Sequence, residues 1–309
     1  MLILRALRRL LLVLLWSVNR WILRISRPAA PTKFRNIPAD ELEKFFLSLD
    51  HVRDPRVADP KARSYVERHL HRLVTTVRLI PPSKTSGRAL ELGCYMHLAP
   101  ALTTFAGYKD IRGAYLGGAG QTEQKTARIE GREILSCEID LFDAERDRFP
   151  YPDGHFELVL ACEIIEHLQR DPMHMLFEIH RVLEEGGSLL LTTPNCASMS
   201  SLECILWGAG NPYIFSAYPL PEKADAELGG RHIREYTPSE LSRAVVCAGF
   251  RIDALTTEPF PQLTRKDLIY DLLENYGFPV ALRGEQTYCL ATKVSGSART
   301  RHPGFLYEQ

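Results

Sequence analysis

Apolar and polar positions separate most cleanly between Asp140 and Asn195. An acidic loop closes on FPYPDG (149–154). The apolar run FELVLA (156–161) follows, and SLLLTT (188–193) is a second such run. Both are short and bounded by turn residues, Pro152, Asp153 and Gly154 before one and Gly186 and Gly187 before the other. That pattern predicts parallel strands buried on both faces. Between them Met173, Leu176, Phe177, His180 and Leu183 recur at helical spacing, with Asp171 and Pro172 as N-cap and first-turn pair. Two parallel strands joined by a helix make a right-handed β-α-β unit. In open sheets of this kind ligands bind beyond the carboxyl ends of the strands, which here carry Cys162, Glu163, Glu166, His167, Thr193 and Asn195.

The same alternation runs through much of the chain. RALELGCYMHLAP (88–100) reads as a strand, a glycine turn and a helix; IRGAYLGG (111–118) as a second strand; GREILSCEIDLF (131–142) as a third. TPSELSRAVVCAGF (237–250) reads as a helix capped by Thr237, opened by Pro238 and closed by Gly249. Strand RIDALTT, a helix near LTRKDLIYDLLENYG and a last strand TYCLATK complete a three-layer α/β domain over 86–295. Before it, residues 28–85 hold a Pro-rich linker and two helical patterns, the second closed by Pro81 and Pro82. His69 and His71 in that helix fall on different faces and are expected at the surface. Residues 197–231 carry Trp207, Tyr213, Phe215 and Tyr218 among Gly and Pro, which suits a lid or acceptor pocket. Residues 296–309 read as a flexible tail.

Charge changes the picture at one end only. Lys plus Arg equals Asp plus Glu, 38 against 38, so no overall field selects nucleic acid as a partner. The first 27 residues, however, contain six arginines and no acid. On a helical projection these arginines fall within about 160° of arc, opposite Ile3, Leu7, Leu14, Trp21 and Ile25. The uncharged run Leu10–Asn19 is half of the roughly 20 residues a span needs. The pattern predicts an amphipathic helix lying on anionic headgroups at the inner face of the cell membrane. Seven cysteines without any C-x-x-C pair exclude a disulfide framework and a zinc ribbon, and point to reduced thiols in a cytoplasmic protein.

The 149–195 segment, with RHIREYTPSELSRAVVCAGF (231–250) further on, resembles the class I S-adenosylmethionine-dependent methyltransferases, most closely their type 11 and UbiG-like branch. The resemblance covers about residues 86–293. It implies a Rossmann-like fold with a mostly parallel seven-stranded sheet, S-adenosylmethionine as cofactor, and cofactor contacts from Glu91, Gly93, Asp140 and Leu141; Cys162 at its strand end, and Tyr95 in place of contacts the family's loop would make, complete the expected set. The family's cofactor loop reads L-D/E-x-G-C-G-x-G. Here it is LELGCYMHL, so Tyr95 and His97 stand where two glycines would be, and the second strand lacks the acid that holds a ribose.

Methyl transfer to a hydroxyl needs orientation and a base. His167, beside Glu166 past the fourth strand, and His232 in GGRHIREY are the candidate catalytic residues. Glu163, Glu166 and His167 imitate a metal set, but no further ligand follows at matched spacing, so no metal is expected. The expected acceptor is a small molecule or lipid-linked hydroxyl, of a sugar or quinone type, met at the membrane surface. The alternative is a catalytically inactive module of the same fold, recruited to the membrane as a binding protein.

Overall fold

The computed structural model describes residues 36–53, 60–208, 210–212, 231–258 and 276–308, together with Ile269 and Leu273. The expected arm (1–27), most of the 197–231 insertion, and the helix near 263–277 apart from Ile269, Leu273 and its last residues lie outside them. Among the described residues no helix is long and apolar enough to cross a membrane.

Eight strands form one sheet in the order β3-β4-β2-β1-β5-β6-β8-β7. They are β1 (Arg88–Leu92), β2 (Asp110–Tyr115), β3 (Gln121–Ile129), β4 (Arg132–Leu141), β5 (Phe156–Cys162), β6 (Leu183–Pro194), β7 (Phe250–Glu258) and β8 (Gln286–Lys293). From β4 through β6 the neighbours run parallel, and β3, β8 and β7 add antiparallel edges. The Rossmann-like class stands, with eight strands rather than seven.

The additional strand is β3. Its residues QTEQKTARI are mostly exposed and show no apolar alternation, so the sequence carries no burial signal for it. It exists because β4 offers a free edge and the turn Glu130–Gly131 takes φ of 51° and 78°, as a tight hairpin demands. Asp50 clamps that turn, accepting from the amides of Glu130 and Gly131 at 2.8 and 2.9 Å.

Helices cover both faces. On one side α1 (Ala39–Ser48), α2 (Asp50–Arg53) and α3 (Pro60–Leu79) bury Leu42, Phe46, Val66, Leu73 and Val77 against the strands. The 28–85 extension therefore supplies part of the main core. On the other side α4 (Pro172–Val182) and α6 (Pro238–Cys247), which flank α5 (Met199–Trp207) in sequence, cover Val159, Leu189 and Leu191. Asp171 caps α4 by accepting from the His174 amide at 3.1 Å. Thr237 and Glu240 form a reciprocal capping box on α6.

Two expectations need correction. His69 is not a surface residue: it is half-buried against the Tyr65 ring, 4.7 Å between centroids, and burial lowers its pKa to about 3. The tail is not loose either. Arg301 and Tyr307 both bind the Asp171 carboxylate, and Phe305, Leu306 and Tyr307 pack on the apolar core.

Candidate active site

The carboxyl ends of β1, β2, β4, β5 and β6 meet at one edge, and the sequence-expected residues divide over it into two groups. Gly93 follows β1 with φ of +66°, and a Cβ there would lie 2.5 Å from Cδ1 of Ile164. The conformation therefore favours glycine, while the space is bounded only by the far end of the Ile164 side chain. Because Ile164 immediately precedes the 3-10 turn Ile165–His167, this contact joins the β1 loop to the turn after β5.

The bulky residues of the altered loop have separate destinations. His97 turns inward, stacking on Tyr65 at 5.4 Å and on His51 at 5.2 Å, with His51 Nε2 and His97 Nδ1 3.1 Å apart. Burial lowers its pKa to about 3, so it stays neutral. Tyr95 turns outward, over half exposed, its ring edge-on to Tyr115 at 5.1 Å and its hydroxyl bonded to the Tyr115 hydroxyl. The positive φ that the family's glycines would provide falls on Met96 instead, at 63°. Such a residue costs of order 1–3 kcal/mol and persists only when its surroundings hold it. Here the N-terminal helices do so through His97. Glu91, at the end of β1, is buried; burial raises its pKa to about 7, with the Cys94 thiol donating to it at 3.4 Å.

Asp140 sits at the end of β4 with both carboxylate oxygens engaged. Arg112 Nη2 donates at 2.7 and 2.8 Å, and the Tyr151 hydroxyl at 2.6 Å. Leu141 beside it lies under the β2–β3 turn, where a Cβ on Gly117 would come within 2.9 Å of it. Neither Arg112 nor Tyr151 is recognisable in the sequence as a partner, since 28 and 11 residues separate them from Asp140.

The second group lies past β5. Cys162 ends the strand, and burial pushes its thiol pKa far up. Glu163 adopts φ of 55° and turns its carboxylate to three donors: Arg72 at 2.5 Å, Thr192 at 2.8 Å and Gln286 at 2.5 Å. Burial works against the charge on Arg72, yet Glu163 keeps that pKa raised. Glu166 has no solvent exposure. Thr193 donates to its Oε2 at 2.9 Å, and its Oε1 has no hydrogen-bond partner among the described residues. Burial, then the Glu163 charge, raises its pKa well above the usual carboxylate range.

His167 and His232 come together although they lie 65 positions apart in the sequence. Their rings meet edge to face at 4.8 Å. The His232 segment is fixed by two bonds to the turn, Ile233 N and Arg234 N to Glu166 O at 2.7 and 3.2 Å, and by the bridge between Asn195 and Tyr236. His167 Nδ1 lies 3.1 Å from the Arg231 carbonyl, and burial lowers its pKa. His232 Nδ1 lies 3.2 Å from Glu235 Oε1, and its Nε2 is 4.0 Å from Glu166 Oε1. Asn195 is structural: it donates to the carbonyls of Leu282 and Gly284 and accepts from Ala197 N. A cavity of about 800 Å³ lies elsewhere, between α6, β7 and the tail, and shares no residue with this edge.

Residues 61–255 match a family model described as a methyltransferase domain. The chain belongs to that family. The match agrees with the class I motifs and does not single out the type 11 or UbiG-like branch. A curated relative, a probable S-adenosylmethionine-dependent methyltransferase of Mycolicibacterium smegmatis, is 28% identical over 115 residues. That stretch covers 37% of this chain and 36% of the relative, so the match spans little more than a third of the relative's length. Among solved structures, an S-adenosylmethionine-dependent methyltransferase from Archaeoglobus fulgidus superposes with TM-score 0.44 at 16% identity, over 75% of this chain and 94% of the other. One from Mesorhizobium loti superposes with TM-score 0.41 at 12% identity, over 73% and 98%.

Proposed function

We propose that this methyltransferase-family protein transfers a methyl group from S-adenosylmethionine to a hydroxyl of a small or lipid-linked acceptor at a membrane surface. The observation that carries the reading is the contact of Gly93 with Ile164. It sets the positive-φ glycine turn after β1 directly against the turn bearing Glu166 and His167. When bound, S-adenosylmethionine supplies a sulfonium-activated methyl group. The loop of Gly93 and Tyr95 would hold it from the β1 side, and Cys162 with the Glu163 backbone from the β5 side.

The chain's own contribution is placement and proton handling. Arg72, Thr192 and Gln286 lock Glu163, so the turn after β5 cannot drift. Orientation of this kind accounts for several kcal/mol of a displacement barrier. With Nδ1 of His167 donating to a carbonyl and Nδ1 of His232 to a carboxylate, each ring carries its lone pair on Nε2, where an acceptor hydroxyl gives up its proton. Residues 1–27 supply the reason to place the acceptor in or near lipid, since their basic and apolar faces suit an anionic interface at the inner, cytoplasmic face.

Asp140 argues for the inactive alternative, because Arg112 and Tyr151 already use both its oxygens. Calorimetric titration of the full chain in mild detergent with S-adenosylhomocysteine decides between them. One site is expected, with affinity at least tenfold weaker in Gly93→Ala. No heat at millimolar ligand would establish the inactive module.

A further inference from the structure

We infer that Glu166, His167 and His232 form a binding site for a divalent transition-metal ion. One ligand atom from each of the three lies within 4.8 Å of the other two, the one such cluster among the described residues. Two imidazoles and a carboxylate are the donor set that zinc, cobalt(II), manganese and iron(II) accept, with open positions left for an exogenous oxygen.

Three observations separate this cluster from a chance meeting of polar side chains. Glu166 is wholly buried, yet among the described residues its Oε1 finds no hydrogen-bond partner, while Thr193 holds the other oxygen at 2.9 Å. A buried carboxylate oxygen without a donor is costly, and a cation removes that cost. This orphaned atom is the one aimed at His232 Nε2, 4.0 Å away. Next, both imidazoles carry the outer partners that metal ligands carry. His167 Nδ1 faces the Arg231 carbonyl, and His232 Nδ1 faces the buried Glu235 carboxylate. Donation from Nδ1 fixes the tautomer whose Nε2 lone pair binds metal. Finally, the third ligand is held in place by backbone: the amides of Ile233 and Arg234 donate to Glu166 O. A tetrahedral ion with bonds of about 2.1 Å holds its ligand atoms about 3.4 Å apart, so closure asks each atom to move by up to about 0.8 Å.

The site rests on the methyl-transfer reading only for its chemistry, where an ion-bound oxygen takes the place of the two imidazole bases whose Nε2 lone pairs hold the ion, and it is independent of that reading in its test. An acceptor hydroxyl bound to the ion's open position ionises more readily than one facing an imidazole alone. Its proton leaves to water, and the oxygen then bonds to the methyl carbon as the carbon–sulfur bond breaks and S-adenosylhomocysteine leaves. Oxygen-rich acceptors that can chelate, such as a diol or catechol-type pair, fit such a position better than an amine.

Metal uptake is measured without S-adenosylmethionine, so its failure and the failure of methyl transfer are distinguishable. The full chain in mild detergent is stripped with a chelator, then equilibrated with cobalt(II) or zinc and desalted. Retention of about one equivalent is expected, with visible cobalt absorption lacking the near-ultraviolet charge transfer of thiolate ligation. Glu166→Gln and His232→Asn should each weaken binding at least tenfold. Glu235→Gln, which alters only an outer partner, should weaken it about 10- to 100-fold. Protection of His167 and His232 in the wild-type chain from diethyl pyrocarbonate by zinc gives the same answer without a variant. Failure of the wild type to retain metal, no protection of either histidine, or equal retention by Glu166→Gln and His232→Asn would overturn the proposal.

Discussion

His97 shows how one residue can change its role between family and chain. Where the family's loop has glycine, this side chain leaves the cofactor edge and wedges between Tyr65 and His51, so the bulk that looked obstructive in the sequence becomes a packing element. The burial has a pH signature. The folded pKa is about 3, below the unfolded value of about 6.5, so the unfolded chain binds a proton first as pH falls. Stability is full above about pH 6.5 and is lost below it, by about 2 kcal/mol for this group at pH 5. Urea unfolding of the wild type and of His97→Phe at pH 7.5 and 5 should therefore show a smaller loss in the variant. An equal loss would mean that His97 is protonated in the folded state. No sequence pattern announces this, because Tyr65, His51 and His97 are neighbours only through the docking of α2 and α3.

Elements differ in how far local chemistry specifies them. Helix α6 was legible at both ends: Thr237, Pro238 and Gly249 act as cap, first-turn residue and terminator within a few residues, and the structure adds Glu240 as capping-box partner. Thr237→Ala removes one half of the reciprocal pair and should destabilise the domain by about 1 kcal/mol in chemical denaturation, while Ser at that position should restore it. Strands β5 and β6 were legible for another local reason, since burial on both faces demands a continuous apolar run. Strand β3 obeys neither rule. Its exposed polar residues follow the edge of β4 and the Asp50 clamp on the Glu130–Gly131 turn, so its existence depends on atoms about 80 residues away in sequence. The same holds for the tail, whose order comes from Asp171.

For the molecule as a whole, the described residues form one sheet with helices on both faces, and the first 27 residues carry the charge asymmetry. A variant lacking residues 1–27 should move from the membrane pellet to the supernatant in vesicle sedimentation with anionic lipid, and high salt should weaken pelleting of the full chain. Equal partitioning of the two forms would remove the membrane from the functional proposal. Apart from β3, the order of the strands from 86 to 293 and the family were legible in the sequence itself, because periodicity, caps and turns act over a few residues. Only the tertiary structure decided what surrounds each site residue: Arg112 on Asp140, Arg72 on Glu163, and His232 beside Glu166 and His167. Those pairings come from the closure of long loops and the packing of distant elements, which leave no periodic trace in the chain.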